Sequence, residues 1–215
     1  FLSKHHAGTV RQTTTASGAS TTEALHAEAA AAAPTLLRAM RKVVEASGGT
    51  LMLPPPLLAL GVGAPLPPDE ALRGTVKSLA RAQEKIDSDY GGDCTRIVDL
   101  VRASGVFETP SELAKALTRM TEDIECPLRI MRIKDRFGKP QDGYRDIICN
   151  VALGVEVEPK TALELRSSFS MSGSGHVAEL QLHLKCLMDL KAYSHVSYQI
   201  GRGVDFSAGH SASEE

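Results

Sequence analysis

A mixed α+β fold, a sheet flanked by helices, is predicted for residues 69–200, and three patterns carry the prediction. The run HVAELQLHL over His176–Leu184 alternates polar and apolar residues with the period of a strand. Thr109, Pro110, Ser111 and Glu112 form a capping box with proline at the first helical position, so a helix opens there. Around them, β-branched runs and amphipathic runs follow one another, as a domain of sheet and helix layers requires.

The elements follow in chain order. Residues 1–22 carry Lys4, Arg11 and two histidines but no acid, with many Ser and Thr. Such a stretch is either the tail of an organellar targeting segment, mitochondrial or plastid, or a flexible polar arm. From Glu23 an Ala-rich run leads into a helix over Pro34–Gly49, with Pro34 at its first position and Leu36, Leu37, Met40, Val43 and Val44 on one face. The Pro/Gly-rich apolar stretch after it is expected to lie extended on a surface, this domain's or a partner's. Its prolines exclude a transmembrane helix. Asp69–Asp89 is predicted as one helix, broken by Tyr90-Gly91-Gly92. Strands are predicted over Ile97–Phe107, Leu128–Asp135, Tyr144–Leu153 and His176–Leu184, and a helix over Cys186–Gln199. The chain thus divides into an arm (1–22), a helix plus Pro-rich segment (23–68), the sheet domain (69–202) and a loose tail (203–215).

The 215 residues carry a formal net charge of −2, so no global basic field points to nucleic acid. Cys94, Cys126, Cys149 and Cys186 show neither CxxC spacing nor a dense disulfide framework. They are expected as reduced thiols in or near a core, which fits an intracellular compartment.

Chemistry-bearing residues fall in three places. Period-two alternation puts Val177, Glu179, Gln181 and His183 on one strand face, as in a polar cleft or a solvated sheet face. Lys77, Arg81 and Lys85 recur every four residues, so on one helix they stack on one face and call for anionic compensation by phosphates or acidic neighbours. Asp99 sits in the apolar run IVDLV, where a carboxylate is costly unless paired or bound to a cation. With Glu179 it makes two carboxylates suited to sharing one Mg²⁺, which takes one or two carboxylates plus substrate phosphates.

In order and spacing these features resemble the synthetase domain of RelA/SpoT-type alarmone synthetases, a branch of the nucleotidyltransferase fold. The run KDRFGKPQDGYRDI is similar to the family's Lys-Asp, Pro, then Asn-Gly-Tyr-x-Ser pattern, with Lys134, Asp135, Pro140, Gly143 and Tyr144 in place. AELQLHL resembles its Glu-x-Gln strand and supplies Glu179 and Gln181. The resemblance, over roughly Leu72–Arg202, implies that Lys77 and Lys85 touch donor phosphates, with Arg81 beside them. It implies that Asp99 and Glu179 bind Mg²⁺ and serve catalysis, and that Tyr144 stacks on the acceptor base. Departures are also present: Arg81 replaces a serine, Asp142 an asparagine, Asp146 a serine, Ile148 a histidine and Gln141 a lysine. Asp142 and Asp146 would add negative charge where phosphates pass. No His-Asp dipeptide of the family's hydrolase domain is present.

Two functions follow. The reading the sequence favours is a divergent accessory or structural subunit of a larger assembly, such as an organellar one, bound through residues 1–65 and with a weakened or lost nucleotide site. The alternative is an active Mg²⁺-dependent pyrophosphokinase that moves pyrophosphate from ATP to a guanosine nucleotide.

Overall fold

The computed structural model describes residues 10–12, 21–54, 57, 64–123, 125–138, 140, 144–153 and 176–188. The chain runs α1 (Thr22–Glu45), β1 (Thr50–Met52), α2 (Asp69–Arg73), α3 (Leu79–Tyr90), β2 (Arg102–Phe107), α4 (Pro110–Glu122), β3 (Leu128–Asp135), β4 (Ile147–Leu153) and β5 (Ala178–Leu184). The strands form one five-stranded mixed sheet in the order β1-β2-β5-β4-β3. Among the described residues, only the β2/β5 pair is parallel. The mixed α+β class expected from the sequence is the one observed.

α1 is longer than its predicted span. Thr21 caps it by accepting the Ala24 amide at 3.2 Å, and the helix runs straight through Pro34, which was expected at its start. The Ala-rich run before the proline is therefore helical, with Ala29 and Ala33 fully buried. Leu25, Leu36, Leu37, Met40, Val43 and Val44 join the same core as Leu128, Cys149, Leu180 and Leu182 of the sheet. α1 is thus a core layer of the sheet domain, although the sequence placed it in a separate segment.

Two glycines show how closely helix and sheet approach. A Cβ on Gly105 of β2 would lie 2.9 Å from Val44 Cγ2. One on Gly49 would lie 2.5 Å from the ring of the buried Phe107. Part of the Pro-rich segment also belongs here: Thr50–Met52 pairs antiparallel with β2, and Leu51 and Leu53 are buried. Leu58 and Leu60 lie outside the described residues. The arm contributes too. Gln12 donates to the carbonyls of Ile97 (3.0 Å) and Val177 (2.8 Å) and accepts the Val177 amide at 2.8 Å. One buried amide thereby joins the chain ahead of β2 to the start of β5.

Three other predicted elements have different limits. The helix expected over Asp69–Asp89 breaks between Arg73 and Leu79, because Ser78 caps a new helix and the Lys77 amide bonds to the Leu100 carbonyl instead. The strand expected over Ile97–Phe107 starts at Arg102. Residues 97–101 are all buried, so they do not alternate as a half-exposed strand would. β4 begins at Ile147, with Tyr144 in an isolated bridge ahead of it. In β3, a register shift between Ile130 and Arg132 brings Leu128, Ile130 and Ile133 all to the core despite their uneven spacing. Residues 185–188 are helical, and the rest of the helix expected over Cys186–Gln199 lies outside the described residues, as does the tail. Cys94, Cys126 and Cys149 are buried and Cys186 is exposed.

If α1 is a core layer, Leu37→Ala costs about 2–5 kcal/mol and Gly105→Ala about 1–3 kcal/mol. Both are read from urea denaturation, and unchanged midpoints would exclude this packing.

Candidate functional site

The sheet's two faces differ. Ala103, Gly105, Phe107, Ala178, Leu180, Leu182, Ile147, Cys149 and Val151 lie on the face covered by α1 and α4. The register places rows of polar side chains on the other. Arg132, Asn150, Glu179 and Arg102 lie side by side across four strands. Lys134, Ile148, Gln181 and Ser104 form the next row. Beyond it, the Arg136 amide bonds to the Asp146 carbonyl at 2.9 Å and His183 pairs in register with Val106. The alternation of β5 therefore produces one polar face, with Glu179 and Gln181 at its centre and Gln181 donating to Glu179 Oε1 at 2.8 Å.

Asp99 sits ahead of β2 rather than within it, which corrects the strand expected over Ile97–Phe107. Its Oδ2 accepts from Lys77 Nζ and, at 2.9 Å, from Lys85 Nζ. The two lysines reach it from different backbone settings: Lys77 precedes the Ser78 cap and Lys85 lies on α3. The side chain of Lys77 is 11% exposed, that of Lys85 30%. Burial pulls the Lys77 ammonium below its ordinary range, against the pull of Asp99, and the nearby Lys85 and Arg102 push the same way. For Lys85, burial is outweighed by Asp99 and Tyr90, so its pKa is raised. Burial would raise the Asp99 carboxyl, but the two lysines hold it below the usual carboxylate range. Lys85 also lies 5.6 Å from the Tyr90 ring centroid, with Arg96 5.0 Å from it.

Arg81 does not join this cluster. Its side chain is 77% exposed and lies 3.7 Å from Glu84, although it stands one turn before Lys85 on α3, so the predicted three-residue face does not form. Asp99 Oδ1 is buried without a hydrogen-bond partner. An oxygen of that kind suits a hard cation. Among the described residues no three His, Cys, Asp or Glu side chains cluster as a metal site. A Mg²⁺ held by Asp99 and Glu179 would therefore take its remaining ligands from water and substrate phosphates, as this ion commonly does, and would neutralise phosphate charge there.

Tyr144 stands at the other end of the face, 5.0 Å from the guanidinium of Arg136 to its ring centroid. Arg136 grips Asp146 with both arms, Nε to Oδ1 at 2.5 Å and a terminal nitrogen to Oδ2 at 2.6 Å, and His183 Nδ1 lies 3.4 Å from Oδ2. Asp146 is 1% exposed. Of the two carboxylates expected to repel phosphates, Asp146 is thus buried and its charge balanced by Arg136. Gln141, Asp142 and Gly143 lie outside the described residues.

Sequence reasoning missed Arg102, Arg132, Arg136 and Asn150. Asn150 is buried, accepts from Arg132 Nε at 2.9 Å and leaves its Nδ2 without a partner. The alternation of Arg132, Lys134 and Arg136 along β3 and just beyond it was the available clue. Asn150 had none, because it reads as an ordinary strand residue until its neighbours are known.

The arrangement is similar in fold to solved structures of alarmone synthetases. Small alarmone synthetase 1 from Bacillus subtilis, bound to its product pppGpp, matches at 14% identity and a TM-score of 0.41, over 58% of this chain and 60% of that one. A GTP pyrophosphokinase family protein from Streptococcus pneumoniae matches at 16% and 0.43, over 62% and 60%. A structure of the complex between the Type VI effector Tas1 and its immunity protein matches at 18% and 0.45, over 87% of both chains. The chain thus spans about three-fifths of the length of the first two of these structures. No protein-family model and no curated protein matches it. Among the described residues, no helix is long and apolar enough to cross a membrane.

Asp99→Asn leaves two lysines without their counter-ion and is expected to destabilise the protein by about 3 kcal/mol at neutral pH. Because the folded-state pKa of Asp99 is lowered, its contribution is present above the unfolded value near about 4. It is lost as pH falls through the folded-state value. Urea melts of both proteins at neutral and acid pH check this: the gap between them should narrow in acid, and a constant gap would refute it.

Proposed function

We propose that this chain binds a nucleoside triphosphate and an acceptor nucleotide on the polar face of its sheet and transfers pyrophosphate between them. The observation that carries this reading is the convergence of Lys77 and Lys85 on one buried carboxylate whose second oxygen has no partner. Two cations on one anion, with Arg102, Arg132 and Lys134 on the adjoining face, leave an excess of positive charge suited to a polyphosphate. Tyr144 supplies an aromatic surface for a base, and its place in the Gly-Tyr motif supports that role.

In this reading Lys77 and Lys85 hold the donor phosphates, and Asp99 and Glu179 would hold Mg²⁺. Glu179 accepts the proton of the acceptor 3′-hydroxyl as that oxygen bonds to the donor β-phosphorus. The bond from the β-phosphorus to the α-phosphate oxygen breaks and AMP leaves.

The accessory-subunit reading drew on an apolar segment in need of a partner. Of that segment, Leu51 and Leu53 are buried in this chain's own core, which weakens that motive for these two residues, while Leu58 and Leu60 lie outside the described residues.

The experiment is incubation with ATP labelled at the β-phosphate, GDP or GTP, and Mg²⁺, followed by separation of the nucleotides. Label is expected in a guanosine product together with AMP, and chelation of Mg²⁺ should abolish both. Lys77→Met and Lys85→Met should each lower kcat/KM by about 100-fold, or ~2.7 kcal/mol of barrier, whereas Arg81→Ala stays within about two-fold. No transfer by the unsubstituted protein would overturn this reading and leave the accessory one.

A further inference from the structure

The Arg136–Asp146 pair closes the base of the connection between β3 and β4, and its components sit in an unusual relation to the aromatic ring two residues away. Asp146 is almost wholly buried, yet it is placed at the end of the polar face. Its carboxylate meets the guanidinium as a planar fork, at 2.5 and 2.6 Å, while the backbone of the same two residues continues the strand ladder at 2.9 Å. Arg136 is therefore fixed at both its main chain and its head group. The central carbon of that fixed head group lies over the Tyr144 ring, 5.0 Å from its centroid. A guanidinium over an aromatic ring is attracted by the electron density of the ring face, and a planar one constrains the ring's tilt as an ammonium would not. A bidentate carboxylate sets the plane of the guanidinium in turn.

We infer that Asp146 and Arg136 are positioning residues: the buried carboxylate orients the guanidinium, which orients Tyr144 as the stacking surface for a purine base. This rests on the nucleotide-binding reading above and assigns a role to the substitution that the sequence made look hostile to it. A tyrosine free to rotate must be ordered each time a base arrives, whereas a ring already held in place avoids that loss on binding. The device acts on base recognition alone, since neither residue of the pair is among those holding the donor phosphates. His183 Nδ1, 3.4 Å from Asp146 Oδ2, bounds the carboxylate on its far side.

The test is a double-mutant cycle on the full chain, with Arg136→Lys, Tyr144→Leu and the two combined, measured with ATP and GDP under the transfer assay. Arg136→Lys keeps the charge of the buried pair but loses the fork and the flat face. It is expected to raise the KM for GDP about ten-fold, with kcat and the KM for ATP within about two-fold. Tyr144→Leu should do the same, and the double variant should match Tyr144→Leu alone. Additive effects of the two changes, or an equal rise in the KM for ATP, would overturn the inference, because a general loosening of the loop would act in those ways.

A second measurement needs no substrate. The side-chain protons of Arg136 should resonate upfield in the unsubstituted protein, shifted by the ring current of Tyr144, and return toward ordinary values in Tyr144→Leu and in Asp146→Asn. Retention of the shift in Asp146→Asn would show that the carboxylate orients nothing. If Asp146→Asn fails to fold, Asp146→Glu, which keeps the charge but displaces the fork, should likewise reduce the shift, and full retention there would overturn the inference. An unsubstituted protein that neither binds nor converts GDP or GTP overturns the proposed function together with this inference, whereas an active protein with an additive cycle overturns this inference alone.

Discussion

β5 lies at the centre of the sheet, hydrogen-bonded to β2 on one side and β4 on the other, so its alternation is imposed on both neighbours. Ala178, Leu180 and Leu182 enter the core while Glu179 and Gln181 line the opposite face. A slip of one residue would exchange these sets, burying a carboxylate and exposing leucines. The register thus fixes the core and the candidate site together. Arg102 and Asn150 stand beside Glu179 only because the parallel ladder on one side and the antiparallel ladder on the other are both in this register.

Two charge clusters of the site are largely buried, and their members lie 10 to 22 residues apart in the chain. Lys77 and Lys85 converge on Asp99, and Arg136 closes on Asp146. Such pairs add little net stability over apolar replacements, since desolvation offsets much of the attraction. Their effect here is geometric. Each holds cationic or planar head groups in one place without consuming all of the local charge, as the partnerless Asp99 Oδ1 shows.

The same economy of space governs the opposite face. α1 approaches β2 so closely that Gly105 has no room for a side chain against Val44. The helix, the edge strand β1 and the Gln12 amide are all fastened to the sheet domain's own elements. Residues that look like appendages in the sequence therefore complete the core from which the polar face is presented.

How much was legible in the sequence follows from the range of the forces involved. The alternation of β5, the capping box at Thr109–Glu112 and the αL glycine cap at Gly91 are local, so residue order alone determined them. The same holds for the mixed α+β class and for Glu179 and Gln181 sharing a face. Only the tertiary structure decided that Lys77 leaves the helix, that Arg81 turns to solvent, that α1 runs through Pro34 into the core, and that Asp146 is neutralised. For Lys77, α1 and Asp146 the deciding interaction joins residues ten or more apart in the chain. Lys77 is drawn out by the Leu100 carbonyl and Asp99, and Asp146 is neutralised by an arginine across the β3–β4 connection. A sequence read by periodicity carries the spacing of neighbours along the chain, but not which distant charge will stand opposite once the sheet has closed.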